Sequence, residues 1–288
     1  MDRVDEVSRG VVSAQDTTPA DPGGAGVTAP ERFDALSAGL AAGVRAHPGL
    51  VGLVLLGSAS DEARARRDEW SDHDFFALTA AGRGSEVRPD LSWLPDQDRL
   101  VLTAREGEIG FVAVYDDGHV FEFAFSDAAE LAGARAGDAT VLVDDEAGTT
   151  ARLLAESRAR AAEDDRFDPA NDARLVLVKL LIGVGRVRRG EVLNGNAFIR
   201  QWAVQLLVRA IRGRFAAAST SLRDAIDPVR RFERDFPAWG GDIAASLDLP
   251  IEETAFELYR LTRRILEPGW EDFPSRAADV VAARLGWS

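Results

Sequence analysis

Cysteine is absent from the 288 residues, which excludes a disulfide framework and any thiolate metal site. Histidine is scarce as well, three in all, so a metal on this chain must be held mainly by oxygen. No run of eighteen or more apolar residues occurs, and the N-terminus lacks a basic segment followed by an apolar one. Neither a membrane span nor a secretory signal is therefore written here, and the expectation is a cytoplasmic protein with no membrane partner. Lysine is almost missing: Lys179 is the only one, and the remaining cations are arginines. The formal net charge of −14 argues against nucleic acid as the main partner, because backbone binding needs a basic patch to neutralise phosphates.

What is present suits a packed globular protein. Hydrophobic residues make up 46% and aromatics 8% of the chain, enough for one large or two ordinary domains with a sizeable core. The stretch from Leu50 to Leu78, LVGLVLLGSASDEARARRDEWSDHDFFAL, holds the densest chemistry. Leu50 to Leu56 is almost continuously apolar and too short for a free helix, which predicts a buried strand ending at Gly57. Gly57 allows a sharp turn and Ser58 opens a short polar helix; N–H groups at a helix start beside a serine hydroxyl suit phosphates. The same residues, Ser58-Ala59-Ser60-Asp61, also satisfy a loose capping box. Beyond a polar excursion, His73 to Leu78 reads as a second strand. Asp72 and Asp74, two residues apart, share one face of it, with His73 and Phe75 on the other. Carboxylates so placed repel unless a cation lies between them. A solvated turn is the plainer alternative, weakened by Phe75, Phe76 and Leu78 directly after it. His73, facing away, is expected to be packed or hydrogen-bonded.

The rest of the chain has two textures, which together read as α+β. Met1 to about Pro30 is rich in Gly, Pro, Thr and Asp, the composition of a disordered leader. Phe33, Leu36, Leu40 and Val44 at helical spacing predict a helix over Glu31 to His47, ended by Pro48-Gly49. Strands are expected at Arg99 to Ala104, Gly110 to Tyr115 and His119 to Phe125. The last two are joined by an Asp116-Asp117-Gly118 hairpin turn. A short helix at Asp127 to Arg135 and a strand at Ala139 to Asp144 follow. From Ala147 onward the pattern is helical: Thr149 to Ala162, Asn171 to Arg189, Asn196 to Arg212, Ser221 to Phe236, Ile251 to Leu266 and Pro274 to Leu285. This gives a leader over 1–30, a mixed sheet flanked by helices over 31–146, and an all-α domain over 147–288. In the strand ending at Phe125, Phe121, Phe123 and Phe125 share a face and Glu122 takes the other. Glu122 is thus a candidate third carboxylate, or a side chain that simply faces water.

An apolar strand, Gly57-Ser58, a spacer, then Asp72 and Asp74 on the next strand: this order resembles the signature of the nucleotidyltransferase superfamily typified by DNA polymerase beta, with a spacer at the long end of its range. The resemblance implies that Asp72 and Asp74 are catalytic metal ligands, places the third acid at Glu122, and gives Gly57 and Ser58 to the nucleotide. More loosely, Arg174 to Arg209, with Lys179, Arg186-Val187-Arg188-Arg189-Gly190-Glu191 and Asn194, resembles the helical domain of aminoglycoside- and lincosamide-modifying nucleotidyltransferases. By that likeness Lys179 would reach the triphosphate across a cleft, the alternative being that it snorkels to solvent. Glu191 would flank the cleft opposite Asp72 and Asp74. The implied activity is transfer of a nucleoside monophosphate, AMP being expected from ATP, to a hydroxyl of a small acceptor such as an aminoglycoside or lincosamide. One or two Mg²⁺ ions would be held by the three carboxylates, with Glu122 acting as ligand or as general base. Two other readings stay open: an antitoxin-like enzyme that modifies a protein or tRNA, and a non-catalytic nucleotide-binding module.

Overall fold

The computed structural model describes residues 28–164, 166–219, 223–224 and 226–287. The expected leader, apart from its last three residues, lies outside them. Thr28 already caps the first helix, α1 (Ala29–Ala46). Its hydroxyl accepts from the Glu31 N–H while the Glu31 carboxylate accepts from the Thr28 N–H. This reciprocal cap starts the helix two residues before the periodicity suggested, with Pro30 in the first turn, where its missing N–H costs nothing.

Six strands follow in one mixed sheet: β1 (Leu50–Leu56), β2 (His73–Thr79), β3 (Leu100–Glu106), β4 (Gly110–Tyr115), β5 (Val120–Ser126) and β6 (Ala139–Val143), with a single helical turn, α2 (Gly84–Val87), between β2 and β3. Their spatial order is β3-β4-β5-β2-β1-β6. The β2–β5 pair is parallel and the others are antiparallel. One face of the sheet, carrying Leu53, Leu55, Phe75, Phe121 and Phe123, packs on Phe33, Leu36, Leu40 and Val44 of α1. Phe75 and Phe123 stack in parallel at 4.7 Å between ring centroids. The other face buries Val54 and Leu78 against Leu153 and Leu154 of α3 (Thr149–Asp164). Because β1 and β2 are antiparallel, Leu56 at the end of β1 pairs with Asp74 at the start of β2. That is the corner on which the site is built.

Among the described residues from 169 onward there are helices and no strands: α4 (Pro169–Arg188), α5 (Val192–Asn196), a π-helical segment (Ala197–Ala203), α6 (Val204–Arg214), α7 (Phe232–Asp235), α8 (Pro237–Ser246), α9 (Ile251–Leu266) and α10 (Ser275–Leu285). Residues of α4, α6, α9 and α10 share one core. Three expectations are corrected. Asp127 to Arg135 forms turns rather than a helix; Gly133 weakens any helix there. Asn196 to Arg212 starts earlier, at Val192, and is broken by the π segment. Of Ser221 to Phe236, positions 221, 222 and 225 lie outside the described residues, and the remainder is helical only at α7, after Pro228 has interrupted the run. Helix α8 was masked by Gly240-Gly241. Gly240 is needed there, since a Cβ would meet the Glu233 backbone at 2.6 Å. Among the described residues no helix is long and apolar enough to cross a membrane.

Candidate active site

Asp74 and Glu122 are direct neighbours across the parallel β2–β5 ladder, so their side chains leave the sheet on the same face. Asp72 lies one residue ahead of β2. One carboxylate oxygen from each of Asp72, Asp74 and Glu122 lies within 4.8 Å of the other two. No other trio of His, Asp or Glu converges in this way among the described residues. Asp72 and Asp74 are half-buried and Glu122 is exposed. Burial, with the charges of Asp72 and then Glu122 behind it, pushes the Asp74 carboxyl up to about 7, against a smaller opposing pull from Arg230. Without a cation this cluster cannot be fully ionised at neutral pH at no cost.

The Gly57-Ser58 turn sits beside it. Gly57 has φ +50, a backbone conformation that side chains rarely adopt, so glycine serves the turn; the space itself would take a Cβ, which would stand in ordinary contact with Asp74 Oδ2 at 3.5 Å. The helix expected after Ser58 is a single 3-10 turn, Gly57–Ala59. A true helix N-terminus for anions is therefore not formed, and Ser58 offers instead a hydroxyl on the cavity wall. The loose capping box is not made either: the Asp61 N–H donates to Thr140 Oγ1 at 2.9 Å instead of to Ser58, whose hydroxyl donates to the Asp72 carbonyl at 3.5 Å.

A device that the sequence reading missed ties the two halves of the motif together from behind. The Arg67 guanidinium donates to the carbonyls of Ser58 and Ala59 at 3.2 and 3.1 Å and to Asp34 at 3.0 Å. It lies 3.9 Å over the Phe33 ring, and Phe33 in turn stacks on His73 at 3.7 Å. His73 is fully buried as expected, hydrogen-bonded to Ser37 Oγ at 2.8 Å and to His119 at 2.7 Å. Burial lowers its pKa to about 2, helped by His119, Arg67 and Arg32, so it is a neutral packing element under the two aspartates.

The trio opens into a cavity of about 930 Å³. One wall is the middle of the sheet and the turn that follows β1, with Gly57, Ser58, Asp72, Asp74 and Glu122. The other wall comes from residues 223–224 and 226–234, which bring Arg230, Arg234 and Glu233 to the cavity. Two expectations fail here. Lys179 does not line the cavity; it is held over the rings of Phe198 and Trp202, at 5.4 and 5.1 Å. Glu191 does not flank it either, being tied to Arg186 and Arg189 at the start of α5. Of the six arginines that line the cavity, Arg66, Arg135 and Arg223 are scattered and three come from a charge-dense run, Arg230-Arg231-Phe232-Glu233-Arg234, whose density was the available signal. Fully buried Arg212 positions that run by donating to the carbonyls of Pro228 (2.7 Å) and Arg230 (3.4 Å) and pairing with buried Asp235.

No family model and no curated protein matches this chain. Among solved structures it is similar to a nucleotidyltransferase-like protein from Exiguobacterium sibiricum, at 10% identity and a TM-score of 0.30, over 81% of this chain and 73% of that one. It is also similar to an aminoglycoside 6-adenyltransferase from Bacillus subtilis, at 11% identity and a TM-score of 0.26, over 89% and 91%. Likenesses this slight carry no weight for what the chain does, and the carboxylate geometry has to stand by itself.

Proposed function

We propose that this chain is a metal-dependent nucleotidyltransferase. It moves a nucleoside monophosphate, AMP by expectation, from a nucleoside triphosphate to a hydroxyl of a small acceptor of the aminoglycoside or lincosamide kind. The observation that carries this reading is the convergence of Asp72, Asp74 and Glu122 within 4.8 Å beside the Gly57-Ser58 turn. The donor set fits a hard cation: three carboxylates, no sulfur, and the nearby His73 turned to the opposite face. The raised Asp74 carboxyl points the same way, because a cation among the three would restore its charged form. Asp72, Asp74 and Glu122 would hold one or two Mg²⁺ ions, which when bound neutralise phosphate charge and polarise the phosphoryl group.

The chain's own residues supply the rest. Gly57 makes the turn that sets Ser58 beside the acids, and the Ser58 hydroxyl, which donates weakly to the Asp72 carbonyl at 3.5 Å, would turn to a phosphate oxygen. Arg230 and Arg234, on the facing wall, offer charge to the leaving pyrophosphate. Glu122, the most open of the trio, lies where an acceptor hydroxyl must arrive and either ligates or takes its proton. Residues 31–146 thereby provide the chemistry and residues 147–288 the second wall. Carboxylates outnumber guanidiniums around the cavity, which favours an amine-bearing acceptor.

The test is incubation with Mg²⁺, triphosphates labelled at the α-phosphate, and a panel of hydroxylated antibiotics, with cell protein and tRNA in parallel. Label on a drug, absent with Asp74→Asn, supports the reading. Label on a protein or tRNA alone moves the acceptor to the antitoxin-like alternative, and no transfer to anything overturns the enzyme.

A further inference from the structure

Trp70 is out of place on ordinary packing grounds. Its residue is 87% exposed, although an indole buried elsewhere would remove a large apolar area from water. Its backbone is nevertheless fixed. Trp70 N–H donates to Asp68 Oδ1 at 3.0 Å, Asp68 N–H to Ser71 Oγ at 2.9 Å, and Ser71 N–H to the Asp68 carbonyl at 3.2 Å. A held turn thus presents an aromatic face on which no ring or guanidinium of the described residues stacks. That face lines the same cavity as Asp72, Asp74 and Glu122. Ile226, 50% exposed, is an apolar side chain among the charged residues of the 226–234 stretch that lines the same cavity.

We propose that Trp70 is the platform on which the base of the nucleoside triphosphate stacks, an inference that rests on the nucleotidyl reading of the site. The placement favours the base over the acceptor. Trp70 stands two residues before Asp72, and two residues of extended chain span at most about 7 Å, the order of a ribose between an α-phosphate and its base. The acceptor belongs on the Glu122 side, beyond Asp74, whereas Trp70 lies on the chain that enters Asp72. Every base has a π-face, so stacking on an indole by itself binds all four bases and discriminates little among them.

The experiment is calorimetric titration of the full chain with ATP, GTP, CTP and UTP, and with inorganic tripolyphosphate as the baseless probe, each with Mg²⁺. Wild type, Trp70→Ala and Trp70→Phe are compared. Because the side chain is exposed, neither substitution threatens folding. Trp70→Ala is expected to weaken each nucleoside triphosphate about 10-fold and to leave tripolyphosphate within about 2-fold, with Trp70→Phe recovering most of the loss. Unchanged nucleoside triphosphate binding by Trp70→Ala, with wild type binding well, overturns the platform and leaves the nucleotidyl reading intact. Equal loss of tripolyphosphate overturns it too, by making Trp70 a support of the phosphate site. Failure of wild type to bind any triphosphate overturns both.

Discussion

Replacing Asp74 with Asn should make the metal-free protein more stable at neutral pH and leave it unimproved in acid. The carboxyl titrates at about 7 in the folded chain against 3.8 ordinarily. A group raised in this way contributes stability that is fully present below 3.8 and lost as pH rises through about 7. Each decade of proton affinity is worth about 1.4 kcal/mol, giving an upper bound of about 4 kcal/mol. Partial exposure screens the repulsion, and about 2 kcal/mol is the working figure. For a chain of this length that is a gain of about 3 °C in Tm. Asn cannot ionise, so in EDTA the difference between variant and wild type should be near zero at about pH 4 and reach its full value by about pH 8. His73 works in the opposite sense: its pKa is depressed to about 2, so its contribution is present above its ordinary 6.5 and falls away in acid. It is common to both proteins and cancels in the difference. Added Mg²⁺ should close the gap by stabilising wild type alone. Differential scanning calorimetry across that pH range decides the matter, and parallel Tm profiles for the two proteins would refute the reasoning.

Three further outcomes are expected. Arg67→Ala removes the donors to Ser58, Ala59 and Asp34 and should cost about 2–4 kcal/mol in urea unfolding; it should also raise KM for the triphosphate, with Arg67→Lys restoring little because the fork is lost. Lys179→Ala should cost about 0.5–1 kcal/mol of stability through its two ring contacts and leave triphosphate KM unchanged in steady-state assays, since the side chain is away from the cavity. Arg212→Met removes the guanidinium paired with the buried Asp235 charge and should destabilise by about 3–5 kcal/mol, whereas combining it with Asp235→Leu should recover most of that loss in equilibrium unfolding.

The carboxylate trio was legible because strand geometry is local. A period of two placed Asp72 with Asp74 and set Glu122 opposite Phe121 and Phe123, and the parallel β2–β5 register then brought the acids together. Strands β1, β4 and β5 were legible for the same reason, as was α9, whose apolar stripe is regular. What failed depended on contacts between distant segments. Lys179 could be assigned to a helix, but not to the neighbour that helix packs against, which is the Phe198–Trp202 pair rather than the cleft. Arg67 gains its meaning from Asp34 and Phe33, more than thirty residues earlier. The arginine wall was read as a helix because its apolar spacing is helical, and Pro228 together with the Arg212 anchor imposes another path. Trp70 sat in a polar excursion and looked like loop; only its exposure on the cavity distinguishes it.

The central claim, that Asp72, Asp74 and Glu122 form a divalent-cation site serving a nucleotide, is tested most directly by titrating Mn²⁺ into the full chain and following free Mn²⁺ by electron paramagnetic resonance, with and without a non-hydrolysable nucleoside triphosphate. Wild type is predicted to bind the ion and to bind it more tightly with the nucleotide. Asp74→Asn and Glu122→Gln, each lacking one of the converging oxygens, are predicted to lose about 10-fold or more in affinity, about 1.4 kcal/mol. Equal Mn²⁺ affinity in wild type and both variants, or no binding by wild type even with the nucleotide present, would contradict it.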